Sequence, residues 1–220
     1  MNELLLHIET STKICSVALS EAGKELARID RSPEGYIHGE SLTLFISELL
    51  HSAQRNIKDL DAVSVSIGPG SYTGLRIGLS TAKGICFGLG LPIIGIPTLD
   101  ILLNIARHKY QNVNLCAMLD ARRMEVYTKS LDEEGSVLRE LSATIIEEDT
   151  FLSDEPFVYF GDGADKLSAL WKGRNATLDS ELQLSAAGQI DIAIYKYRQQ
   201  SFEELSECKP LYLKQFGLNT

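Results

Sequence analysis

No apolar run in this 220-residue chain approaches the roughly 20 residues that cross a bilayer. The amino-terminal stretch MNELLLHIETS sets acids beside its short apolar segment, so neither a signal peptide nor a membrane anchor is expected. Cysteine is sparse. Cys15, Cys86, Cys116 and Cys208 lie far apart, form no CxxC pair and mostly sit inside apolar runs, which suits a reducing, cytoplasmic setting. Positive charge is in deficit: 21 Lys and Arg against 30 Asp and Glu leave a net charge of −9. Without clustered cations there is no strong electrostatic affinity for nucleic acid, so any RNA is expected to be held mainly by another protein. A P-loop is missing too, because that pattern needs a lysine after its last glycine and Leu75 follows Gly74 here. A GxSxG nucleophile elbow is absent, which leaves a hydrolase without support. A histidine metal pair is absent as well: four residues after His38 stands Leu42. His7, His51 and His108 are equally isolated, and all four histidines read as ordinary surface or strand-end residues.

What remains is a chain with 44% hydrophobic residues, enough for one large or two small globular domains. Residues 4–8, 14–20 and 25–29 read as three antiparallel strands, the last two turned by Glu21-Ala22-Gly23-Lys24. A loop through Ser32-Pro33-Glu34-Gly35 leads to a helix over 39–54, where Leu42, Phe45, Ile46, Leu49, Leu50 and Ala53 form an apolar stripe. A strand over 62–67, a second helix, a strand over 92–95 and a helix over 98–108 follow. The plan then restarts. Residues 115–119 end in Asp120, as the first strand ends in Glu9, and strands over 125–131 and 137–146 flank a turn with Gly135 in the place of Gly23. Residues 157–163 end in Gly161-Asp162-Gly163, echoing Gly68-Pro69-Gly70, and helices over 164–172 and 185–198 are expected to follow. Two lobes are therefore expected, residues 1–110 with the tail 209–216 packed on them, and 111–208. Strands alternating with helices make the class α/β with parallel pairings, built from duplicated βββαβα units.

The stretch SIGPGSYTGLRIGLSTAKGICFGLG, residues 66–90, organises the first half. Ser71 and Thr73 stand where a helix start has unpaired N–H groups, and Gly68, Gly70 and Gly74 permit a sharp turn with positive φ. Such N–H groups attract anions, which makes this turn a candidate phosphate site; the alternative is a strand-to-helix turn that merely packs tightly. Glu9 and Asp120 are either carboxylates facing a cleft or caps of their hairpins. With Thr10, Ser11, Arg122 and the two GxG turns, including Gly161 and Gly163, they make a candidate anion or nucleotide cleft, vestigial because neither hairpin turn, ETST or DARR, contains a glycine for close phosphate approach. Arg122 or Arg123 could still pair with an anion.

The helix after the turn is apolar around most of its circumference, and Gly78, Gly84 and Gly88 each cost about 1 kcal/mol in a helix interior. Ser80, Gly84 and Gly88 recur along one edge and Gly74, Gly78 and Ala82 along another, so two neighbours can approach closely. Either both edges meet the chain's own elements, or one is exposed and binds another protein. The candidate partner surface comprises Leu42, Phe45 and Leu49 of the first helix with Gly74, Arg76, Ile77, Gly78, Ser80, Thr81, Gly84 and Phe87 of the second.

IETSTKICSVAL, GPGSYTGLRIGLSTAKG, DARRMEVY and PLYLK, spread over nearly the whole chain, together resemble the TsaB (YeaZ) family. Departures are small: Glu9 where aspartate is common and Lys214 where arginine is common. The resemblance implies an actin-like ATPase fold, also described as RNase H-like, and a role in forming threonylcarbamoyladenosine at position 37 of tRNAs reading ANN codons. It further implies a non-catalytic paralogue that pairs with the transferase TsaD through first-lobe helices, joined by the ATPase TsaE, with tRNA met only through the complex. Neither a metal nor a catalytic residue is implied for this chain, and ATP or ADP is expected only at an interface of the complex. A homodimer through the same helices is expected when the partner is absent. The alternatives from other classes are a nucleotide-dependent transferase or ATPase using the two carboxylates, and a glycoprotease-like hydrolase.

Overall fold

A computed structural model describes residues 2–32, 38–147, 149–151 and 156–213. The chain divides into two units, Met1–Ile101 with Leu184–Leu211, and Leu102–Gln183 with Tyr212–Thr220.

In the first unit β1 (Leu4–Glu9) is buried along its whole length because it is central: β2 (Cys15–Glu21) pairs with it antiparallel and β4 (Ala62–Gly68) parallel. A strand covered on both faces reads as a continuous apolar run rather than an alternation. The hairpin from β2 to β3 (Lys24–Arg31) turns through Ala22 and Gly23 at φ 52° and 79°, the left-handed pair that matches strand twist. With β5 (Ile93–Pro97) parallel to β4, the order is β3-β2-β1-β4-β5.

Helices α1 (His38–Ser52) and α2 (Tyr72–Leu89) cover this sheet. Leu42, Phe45, Ile46 and Leu49 from α1 and Leu79, Ala82 and Cys86 from α2 meet Leu6, Ile8, Val17 and Val65 in one core. Each fully buried leucine or valine contributes on the order of 1.5–3 kcal/mol. The apolar stripe read from α1 is therefore this core face. The Ser32-Pro33-Glu34-Gly35 loop lies, after Ser32, outside the described residues.

Residues 184–208, expected in the second lobe, belong to the first unit. The turn Ala186–Gln189 and helix α4 (Ile190–Arg198) return to it, in place of one continuous helix over 185–198. Gln189 Nε2 donates to the Ile8 carbonyl at 2.8 Å and Lys196 Nζ to the Gly95 carbonyl at 2.8 Å. The Leu211 N–H donates to the Ile67 carbonyl at 2.7 Å, so the tail reaches β4; residues 214–216 of the expected tail lie outside the described residues. These anchors are single polar contacts far apart in sequence, which no local pattern announces.

Helix α3 (Thr98–Lys109) contains the division between the units, after Ile101. In the second unit β6 (Asn114–Asp120), β7 (Glu125–Leu131), β8 (Val137–Ile145), β9 (Phe157–Phe160) and β10 (Ala176–Asp179) are ordered β10-β9-β6-β7-β8. Read from the other end this is the first sheet again, with β6 central, β7 antiparallel and β9 parallel to it. Gly135 at φ 89° repeats the role of Gly23. The echo fails in the helix after β9. The helix expected over 164–172 is a short 3-10 turn, Ala164–Leu167, followed by turns. Trp171 anchors that segment instead, edge-on to Tyr159, Phe157 and Phe151 at 4.9, 5.5 and 6.1 Å between ring centroids. Among the described residues no helix is long and apolar enough to cross a membrane.

Candidate functional site

The turn after β1 is filled by the chain's own atoms. The Ser71 N–H, at the start of α2, donates to the Ser11 carbonyl at 2.6 Å, and Thr10 Oγ1 donates to the Gly74 carbonyl at 2.8 Å. Ser71 caps α2 as expected, its hydroxyl accepting the Gly74 N–H at 3.2 Å. Thr73 is an exposed residue of the first turn, and Gly74 is helical rather than a positive-φ residue. Its need for glycine is spatial: a Cβ there would overlap the Thr10 carbonyl oxygen, one at Gly78 would overlap Thr10 Oγ1, and one at Gly70 the Ser11 carbonyl oxygen. Gly68 does need its conformation, with φ 110° beside the Leu211 backbone. An anion meeting the Ser71 N–H would have to displace the Ser11 carbonyl.

Glu9 is wholly buried rather than facing solvent. Its Oε1 accepts from the Ser11 N–H at 2.7 Å and from Ser66 Oγ at 3.0 Å, while Oε2 and Ser11 Oγ have no hydrogen-bond partner. Burial pushes the Glu9 carboxyl up to about 7, against the pull of the Ser11 and Ser66 bonds. Asp120, in the second unit, is in the opposite condition. It is exposed, accepts the Arg122 N–H at 2.6 Å and pairs with Lys166, whose ammonium also reaches the Arg123 carbonyl. Its partial burial would raise the carboxyl, but the Lys166 and Arg122 bonds outweigh that and hold it below its usual value. The Arg122 side chain is exposed, on a residue at φ 71°. Gly161 and Gly163 pack on the end of β6, where a Cβ on Gly163 would stand 2.7 Å from the Leu119 carbonyl carbon. The two carboxylates that matched in sequence thus differ in burial and surroundings.

Helix α2 has two unlike edges. Gly74, Gly78 and Ala82 are buried, the first two against Thr10. On the other side Ser80 is exposed, Gly84 and Gly88 have nothing within 4 Å of a built Cβ, and Phe87 is 82% exposed. Nearby in chain order, the Arg76 guanidinium lies 3.9 Å over the Tyr72 ring, and Ile77 and Thr81 are half-buried. Leu44, on the outer side of α1, is 67% exposed. A groove of about 430 Å³ runs between α1 and α2, with Ile46, Leu50, Ile57 and Ile85 among its lining and Thr43 and Thr81 beside them. Leu42, Phe45 and Leu49 must be removed from the candidate partner surface, since all three are buried in the chain's own core. Gly74 and Gly78 go with them, because their edge meets the chain's own hairpin. Among the described residues no cluster of three His, Cys, Asp or Glu side chains could hold a metal.

The family model described as TsaD, tRNA N6-adenosine threonylcarbamoyltransferase, matches residues 36–215. The tRNA threonylcarbamoyladenosine biosynthesis protein TsaB of Escherichia coli (strain K12) is 30% identical over 220 residues, covering 96% of this chain and 94% of that protein. The chain belongs to the TsaB family. TsaB of Haemophilus influenzae is 36% identical over 133 residues, 60% of this chain and 56% of that one. The solved structure of YeaZ from Pseudomonas aeruginosa superposes with a TM-score of 0.82 at 24% identity, covering 96% of this chain and 100% of that one, which speaks to the fold. The (R)-2-hydroxyglutaryl-CoA dehydratase component A of Acidaminococcus fermentans superposes at 0.51 and 11% identity, covering 91% and 99%. The fold is the expected actin-like ATPase type. Family membership places the chain among the tRNA threonylcarbamoyladenosine biosynthesis proteins.

One feature of this TsaB-family chain escapes a reading by spacing. His7, taken as a surface or strand-end residue, is wholly buried, with Nδ1 2.7 Å from Ser64 Oγ and Nε2 2.7 Å from Ser20 Oγ. Ser64 Oγ donates to Gln189 Oε1 at 2.6 Å, so it accepts from Nδ1–H, and Ser20 donates to Nε2. Burial drives the imidazole down to about 3, which keeps it neutral in this chain of bonds. The sequence did carry a signal, a histidine at an inward position of an otherwise apolar strand, but its partners lie 57 and 13 residues away.

Proposed function

We propose that the chain is the non-catalytic scaffold subunit of the assembly that makes N6-threonylcarbamoyladenosine at position 37 of tRNAs reading ANN codons. It acts by forming a heterodimer with a TsaD-type transferase through the outer edge of α2, residues Ser80, Gly84 and Phe87, with the adjoining face of α1. The observation that carries this reading is the pairing of two open helix glycines, Gly84 and Gly88, with a phenylalanine 82% exposed. Helix glycines that neither cap nor turn are costly, and an open apolar edge of this kind suits the close approach of a second helix. The filled turn after β1 supports the non-catalytic half of the reading, since one of the backbone N–H groups a phosphate would meet, that of Ser71, is bonded to Ser11.

In this reading a TsaE-type ATPase joins the pair, any ATP or ADP sits at an interface of the complex, tRNA is met only through the complex, and the chain works in the cytoplasm. Without its partner the same edge pairs two copies. Co-expression with the TsaD-type protein, mass analysis of the complex and an assay for the modified nucleoside test the role. Calorimetry of the isolated chain with ATP and magnesium tests the non-catalytic part: saturable binding lost in both Glu9→Ala and Asp120→Ala would establish a nucleotide-dependent enzyme instead.

A further inference from the structure

In this fold a hairpin turn after the first strand stands beside the start of a helix, and here the two are locked together. Four contacts join them: the Ser71 N–H on the Ser11 carbonyl, the Thr10 hydroxyl on the Gly74 carbonyl, and the close fits of Thr10 into the spaces left by the missing Cβ atoms of Gly74 and Gly78. Glu9 holds the turn from below through the Ser11 N–H and Ser66. Thr10 is wholly buried, and its hydroxyl is committed to the Gly74 carbonyl of α2.

We infer that this turn is the seat that sets the position of α2, and that Thr10 is a positioning residue for the partner-facing edge. The inference rests on the proposed role of that edge. Successive residues of an α-helix are 100° apart, which puts Gly74, Gly78 and Ala82 on one side and Ser80, Gly84 and Phe87 on the other. A helix moves as a rigid rod over such a span. Whatever displaces the inner edge by the width of a methyl group displaces the outer edge by as much, and interface packing is sensitive to shifts of that size. The hairpin therefore contributes to partner binding without touching the partner.

The test measures the dissociation constant of the full chain with its TsaD-type partner for four single variants and one double variant, each checked for folding by circular dichroism. Thr10→Val keeps the shape and loses the hydroxyl, leaving the Gly74 carbonyl without that bond; it should weaken association about ten-fold, or 1.4 kcal/mol. Thr10→Ser keeps the hydroxyl and should bind as the wild type does. Gly78→Ala drives a methyl group into Thr10 Oγ1 and should weaken association more, and adding Thr10→Ala should recover part of that loss, as coupling between touching residues requires. A folded Thr10→Val with unchanged affinity overturns the inference. If Thr10→Val does not fold, the pair of Gly78→Ala and its double variant decides, and equal affinities for those two overturn it. Gly84→Arg separates the two levels: unchanged binding there refutes the interface itself, whereas binding lost there but unaffected by Thr10→Val refutes only the seat.

Discussion

Replacing Glu9 by glutamine should turn a nearly flat pH dependence of stability in mildly acidic solution into a rising one. The Glu9 carboxyl titrates near 4.5 when exposed and is pushed up to about 7 in the fold, so between those values the unfolded chain releases its proton first. Stability from this group is complete below pH 4.5 and declines as pH rises towards 7, by about 1.4 kcal/mol per unit and about 3 kcal/mol in all. His7 acts in the reverse sense. Its value falls from 6.5 to about 3, so the unfolded chain takes up a proton that the fold refuses, and stability is lost as pH drops below 6.5. Between pH 4.5 and 6.5 the two slopes oppose each other and largely cancel. Glu9→Gln mimics the neutral acid, keeps an acceptor for Ser11 and Ser66, and removes the declining limb. The variant should gain stability with pH at about 1.4 kcal/mol per unit across that window relative to the wild type. Denaturant unfolding followed by circular dichroism at four pH values measures this directly. Parallel curves for variant and wild type from pH 4.5 to 8 would mean that Glu9 is already ionised in the fold, and the burial argument would be wrong.

His7→Leu should remove the acid-side limb and cost about 1–3 kcal/mol at pH 7, because Ser64 and Ser20 each lose a buried partner; a stable variant with an unaltered acid limb would contradict the network. Trp171→Ala should cost about 3–5 kcal/mol, the usual price of emptying a buried aromatic site. Urea titration of the second unit by hydrogen exchange at Tyr159 checks it, and an unprotected Tyr159 already in the wild type would show that the aromatic cluster does not hold that segment.

All strands but β10 were legible, the central ones as short apolar runs and the hairpin strands by turn residues of definite conformation, Gly23 and Gly135 above all. Duplication was legible for the same reason, since two matching hairpins preserve their spacing. What spacing could not carry was the destination of a side chain. The stripe Leu42, Phe45 and Leu49 has the same period whether it faces a core or a partner, and here it faces the core. Gly74 and Gly84 are both helix glycines, but one is filled by Thr10 and the other is open, a difference set by a hairpin more than sixty residues earlier. The return of residues 184–211 to the first unit is made by long-range contacts, among them Gln189 and Lys196 reaching backbone carbonyls of β1 and β5. Strand β10 was missed because four residues, ATLD, are too few for any period to show. Glu9 and Asp120 matched in position, and their burial, which decides their chemistry, is a property of what packs around them.

The dissociation constant of Gly84→Arg with a TsaD-type protein decides whether the open edge of α2 is the surface that binds the transferase. A Cβ at Gly84 meets nothing within 4 Å, so the variant should fold and melt as the wild type does. At least a hundred-fold loss of affinity, about 3 kcal/mol, is expected from an unpaired charge forced into an apolar contact. A folded Gly84→Arg protein that binds its partner as tightly as the wild type would contradict it.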